Sequence, residues 1–183
     1  MSIFKKWWFW VIVVIIIIAV GSMGGKDTPK KTETTTTTVT QAQEQNTTNT
    51  PEFFKVGETA ETKQVRATIT RVEKSQGSQF NKPAEGNEFV LVYMTIENKS
   101  DKEIVVSSML NFSAYVDDNA INEDLGAITV KEGNKTMDGK VAPGKKLSGV
   151  LGYQVPKGWG KLEIVYQPDV AADTKIKWVI ENQ

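Results

Sequence analysis

The densest set of oxygen ligands in the chain is Asp117-Asp118-Asn119-Ala120-Ile121-Asn122-Glu123-Asp124. Calcium takes about six to eight oxygens, so Asp117, Asp118, Asn119, Glu123 and Asp124 are the candidates for a calcium site. The spacing departs from the EF-hand loop: the fifth position is Ile121, and the sixth is Asn122 rather than glycine. The plainer account is a solvated turn between strands. Trp159 is the second candidate. It lies between Gly158 and Gly160, just after Pro156, where an aromatic ring serves either as an exposed ligand platform or as a plug folded over the end of a domain. Lys140, Lys145 and Lys146 flank Pro143-Gly144 and could offer a small cationic patch to anionic lipid or wall polymer; ordinary surface is the plainer account.

What is missing narrows the chemistry further. The chain has 183 residues with no His and no Cys. Ser-His-Asp and Cys-His catalysis, thiolate and imidazole metal sites and disulfides are therefore all excluded. With 22 basic and 22 acidic residues there is no net charge, which argues against a nucleic-acid partner. No pair of carboxylates stands out for acid–base work. The reading is of a protein that binds and does not catalyse, with no cofactor.

Strands must position these residues. Val65 to Val72 alternates apolar and polar, as a half-buried strand does. Phe89 to Glu97 is apolar on both faces, which suits a central strand: Val90, Val92, Met94 and Ile96 face one way, and Phe89, Leu91 and Tyr93 the other. Further strands are expected at 103–106, 112–116, 147–155, 162–166 and 176–180. A weaker stretch, Ala127 to Val130, is expected as a short strand or loop. Asn98-Lys99-Ser100-Asp101 and Asp117-Asp118-Asn119 read as turns. Val141-Ala142-Pro143-Gly144 fits a type II turn, with Pro at the first corner and Gly at the second. About seven or eight short antiparallel strands, roughly ten residues apart and without an amphipathic helix, predict an all-β sandwich of immunoglobulin-like architecture over residues 53–183.

Two other segments precede this domain. Residues 7–25 carry no charge and follow Lys5-Lys6. As a helix they cover roughly 28 Å, close to the ~30 Å hydrocarbon core, so residues 1–25 predict a membrane anchor embedded through 7–25. Trp7, Trp8 and Trp10 suit the headgroup level, and the dilysine places the N-terminus inside and the C-terminal domain outside the cytoplasmic membrane. The alternative is a signal peptide cleaved near Gly21, which yields a secreted protein. Residues 26–52, rich in Thr, Gln and Asn, predict a disordered linker spanning about 30 Å as a flexible chain.

Several motifs carry a resemblance. Gly57-Glu58-Thr59, Asn87-Glu88-Phe89-Val90-Leu91-Val92, Ile96-Glu97-Asn98-Lys99-Ser100, Gly139-Lys140-Val141-Ala142-Pro143-Gly144-Lys145, Gly149-Val150-Leu151-Gly152-Tyr153-Gln154-Val155-Pro156 and Trp178-Val179-Ile180 resemble the DUF4352 family of bacterial exported proteins. That family is similar to the immunoglobulin-like fold of a mycobacterial immunoprotective secreted antigen. The resemblance implies an extracytoplasmic β-sandwich on an anchor and supplies no catalytic residues. Two functions follow as expectations: a membrane-anchored interaction module for an envelope protein or wall polymer, or an envelope sensor binding a small molecule or Ca2+.

Overall fold

Alternation of apolar and polar residues builds two sheets that close face to face over one core. The computed structural model of the protein describes residues 30–32 and 53–182. The first sheet runs β1 (Lys30–Thr32), β3 (Thr59–Glu61), β4 (Val65–Ser75), β5 (Asn87–Asn98) and β10 (Lys146–Pro156), in that spatial order. The second runs β2 (Phe53–Phe54), β12 (Ile176–Glu181), β11 (Lys161–Tyr166), β7 (Phe112–Val116) and β8 (Asn119–Ile121). A small pair, β6 (Ile104–Val106) with β9 (Gly139–Val141), and two four-residue helices, α1 (Ser108–Asn111) and α2 (Leu125–Ile128), complete the described residues.

The period-two pattern sorts the central strand as expected. Val90, Val92, Met94 and Ile96 enter the main core against Leu162, Ile164, Trp178 and Ile180 of the opposite sheet. Phe89 and Leu91 point outward and form a second, smaller core with Ala127, Ile128 and Val150, against which Tyr93 packs. This explains why β5 is apolar on both faces. The stretch covering its outer face, expected as strand or loop, is the helix α2, capped by the Asp124 carboxylate accepting from Ala127 N. Gly152 makes the close approach possible. A Cβ there would lie 2.8 Å from Asp124 O and 2.9 Å from Ala127 Cβ.

The turns follow their residues. Lys145 N donates to Ala142 O at 3.0 Å, with Gly144 at φ 70, so Pro143 and Gly144 occupy the two corners. Asp117 and Asp118, at φ 45 and 67, form the two-residue loop of the β7–β8 hairpin. Asn98 is fully buried. Its Nδ2 donates to Lys102 O at 2.6 Å and Val141 O at 2.8 Å, and its Oδ1 accepts from Ser100 N and Oγ.

Three expectations need correction. The described strands number twelve rather than seven or eight, because two- and three-residue strands are too short to show a period. Not all pairing is antiparallel: β2 runs parallel to β12, with Phe54 tilted against Trp178 at 6.0 Å between ring centroids. Lys30–Thr32, placed in the disordered linker, instead pairs antiparallel with Thr59–Glu61 and caps the edge of the first sheet. An edge strand offers unpaired backbone groups that accept an extended segment whatever its side chains, so composition gave no sign of it. The expected membrane segment 7–25 and the rest of the linker lie outside the described residues; among the described ones, no helix is long and apolar enough to cross a membrane.

Candidate functional site

Trp159 is buried at 3% exposure and is therefore not the exposed platform that its flanking glycines allowed. Gly158 takes φ 79, and Trp159 N donates to Pro156 O at 3.2 Å, so the tight turn folds the indole back over the end of the sandwich. There Nε1 donates to the Glu88 carboxylate at 3.0 Å, and Gln76 Nε2 donates to its other oxygen at 3.3 Å. Lys74 Nζ lies 5.5 Å from the indole centroid. Glu88 was not singled out from the sequence. Its only signal was an acid beside Phe89 at the start of an otherwise apolar strand.

One flank of Trp159 forms the wall of a cleft of about 680 Å³. It opens at one lateral edge of the sandwich, between β2 and β12 on one side and the end of β4 on the other. Phe54, Val56, Val72 and Ile180 supply apolar walls, and Lys55, Lys74 and Glu181 supply the charges. Phe53 is 42% and Val56 40% exposed at its mouth. Large side chains fill the interior between the sheets, with Trp178, Tyr166 and Phe54 all fully buried. The volume for a ligand therefore lies outside the core, at the edges of the sandwich and over the outer face of the first sheet, where Arg71, Tyr93 and Asn134 line a cleft of about 520 Å³.

The acidic run is taken apart by the fold. Asp117 accepts from Gly160 N at 3.0 Å and Lys161 N at 2.8 Å, which holds its carboxyl below the usual range. Asp118 pairs with Lys161 Nζ at 3.0 Å, and Asn119 Nδ2 turns back to Asp117 O. Asp124 caps α2. Glu123 bridges to Tyr153 through its backbone and sends its carboxylate inward. Oxygens committed to N–H groups on separate elements cannot converge on a calcium ion. Among the described residues, no group of three acidic side chains is placed to hold a metal. The three lysines also disperse: Lys140 faces Glu103 at 3.7 Å, and Lys146 faces Glu97 at 3.5 Å from a different strand.

With this geometry in place, the comparisons with known proteins can be read. Residues 54–176 match the family model described as "Domain of unknown function (DUF4352)". The chain belongs to this family. No curated protein matches this DUF4352 chain. Three solved structures resemble it. The yjhA protein from Bacillus subtilis is 23% identical, covers 69% of this chain and 97% of its own, and superposes with a TM-score of 0.54. A conserved hypothetical protein from Bacillus anthracis is 19% identical, with a TM-score of 0.50 over 68% of this chain and 94% of its own. An uncharacterized β-sandwich protein from Clostridium difficile is 12% identical, with a TM-score of 0.45 over 76% of this chain and 100% of its own. At these identities the two Bacillus structures share the fold of the DUF4352 domain, and the likeness goes no further.

Proposed function

We propose that this DUF4352 protein is a membrane-anchored, extracytoplasmic binding module without enzymatic activity. Residues 7–25 are its anchor, and its sandwich is an immunoglobulin-like scaffold. The observation that carries the reading is the cleft beside Trp159. It is apolar in its walls and charged at its rim, as binding clefts are. No nucleophile with a neighbouring base lines it, and Glu181 is its one carboxylate. Phe53, where the folded domain begins, stands at its mouth, so the ligand is held close to the linker and hence to the envelope. The partner in this reading is an envelope protein or wall polymer that inserts an apolar group.

Two measurements test the proposal. Protease added to intact protoplasts should digest the domain, while alkaline extraction should leave the chain in the membrane. Protection from protease, or release by alkali, would refute the anchor. Full-length protein in nanodiscs should then retain an envelope component that Val56→Glu releases. Equal retention by Val56→Glu, or none above empty nanodiscs, would refute the cleft.

A further inference from the structure

A second cleft, of about 270 Å³, opens at the opposite lateral edge, where β7 and β8 meet the outer strand β10. Phe112, Ala114, Ile121 and the ring of Tyr153 form its apolar walls, with Ser108 and Asn122 among its polar lining. Met109 and Leu125 stand at its rim, 83% and 60% exposed. Glu123 also lines it. Both carboxylate oxygens of Glu123 are shut off from solvent, and neither has a hydrogen-bond partner. A buried carboxylate without donors is costly, and native proteins rarely keep one without a use.

The surroundings relieve it only in part, because one hydroxyl serves two carboxylates. The neighbouring Ser108 hydroxyl gives its one hydrogen to Asp138 Oδ2 at 3.2 Å, and Ser108 N donates to Asp138 Oδ1. Burial pushes the Glu123 carboxyl upward, the Ser108 hydroxyl draws it partly back, and the negative charge of Asp138 raises it again. Tyr153 is held firmly protonated, first by burial and then by the charge of Glu123. The site therefore lacks a cation with N–H donors. A hard metal ion does not fit, because it needs about six to eight oxygens, and among the described residues no group of three acidic side chains is placed to hold one. An ammonium group on a short aliphatic chain answers both the unmet acceptors and the apolar walls.

From this geometry we infer that the cleft between β8 and β10 binds a primary alkylammonium ion, with Glu123 receiving the ammonium and Phe112, Ile121 and Tyr153 holding the alkyl chain. The site is separate from the cleft beside Trp159 and does not rest on it. The ammonium arrives either as a free amine or as a lysine side chain, and the test distinguishes the two.

Full-length protein in nanodiscs would be titrated by calorimetry with hexylammonium, 1,5-diaminopentane and Nα-acetyl-lysine methylamide, using hexanol and hexanoate as controls. Saturable binding of hexylammonium is expected, weaker by roughly tenfold or more in Glu123→Gln, with neither control binding. Ile121→Trp, which crowds the cleft from a half-buried position beside Ala114 and leaves Glu123 in place, should abolish it. Tighter binding of the lysine amide than of the diamine would assign the ligand to a peptide, and the reverse to a free amine. Equal affinity of wild type and Glu123→Gln, binding that survives Ile121→Trp, or no heat at ~10 mM amine would overturn the inference.

Discussion

The bond between Trp159 and Glu88 should hold the end of the sandwich closed, and its contribution can be isolated. Trp159→Phe keeps a ring in place but removes the indole N–H, leaving Glu88 with Gln76 as its one remaining donor at 3.3 Å. A hydrogen bond to a charged acceptor contributes about 1.5–3 kcal/mol. The smaller ring also leaves a void and weakens the contact with Lys74, which sits 5.5 Å from the indole and is worth about 0.5–1 kcal/mol. A double-mutant cycle with Glu88→Ala removes both of those effects, because they occur in either background. The expected coupling is about 2 kcal/mol. Urea titration of the full-length chain, read by pulse proteolysis, would show it as roughly 1 M in the midpoint at a slope of ~2 kcal/mol/M. A coupling below about 0.5 kcal/mol, the scatter of independent sites, would mean that the bond does not close the end of the domain.

Asn98→Ala should cost about 3 kcal/mol in the same assay, since it removes the donors to Val141 O and Lys102 O from a fully buried site. Gly152→Ala should cost about 1–3 kcal/mol and raise amide exchange across Leu125–Ile128, because the new methyl displaces α2 from β10. Asp117 and Glu123 should show opposite pH dependence in thermal unfolding. The Asp117 carboxyl is depressed by the Gly160 and Lys161 amides, so its stabilisation is complete above the unfolded value near ~4 and is lost as pH falls through the lower folded value. The wild type's advantage over Asp117→Asn should therefore shrink in acid. Glu123 is raised by burial, so its ionisation opposes folding; Glu123→Gln should be the more stable form at neutral pH and converge with wild type as pH falls below ~4.

Period two made much of the sandwich legible. Val90, Val92, Met94 and Ile96 were assigned to one face of β5 and Phe89, Leu91 and Tyr93 to the other, because alternation is geometric and survives tertiary context. The Pro143-Gly144 corner was legible for the same kind of reason, since a fixed φ and a positive φ are properties of those residues. What covers the outer face of β5 was not. Four residues of α2 are too few for a helical period, and the helix exists because Gly152 leaves room for it and Asp124 caps it. The acidic run reads both as a ligand set and, more plainly, as a solvated turn between strands. Residue type said oxygen ligands, but backbone direction decides where oxygens point, and the positive φ at Asp117 and Asp118 turns theirs onto Gly160 and Lys161.

Both edge clefts have one structural origin. A sandwich whose interior is filled by Trp178, Tyr166 and Phe54 has no room for a ligand between its sheets. Room appears where one sheet ends in a strand too short to cover the other. The second sheet ends in β2, two residues long, on one side and β8, three residues long, on the other. Short edge strands limit aggregation by backbone pairing. Here the two clefts lie beside them, against Val72 and Lys74 of β4 on one side and Tyr153 of β10 on the other. The edges differ in charge. Lys55 and Lys74 outnumber Glu181 at the β2 edge, whereas at the β8 edge the half-buried Glu123 has Asp138 beside it. An anionic or neutral apolar group suits the first and a cationic one the second, so a single ligand cannot satisfy both.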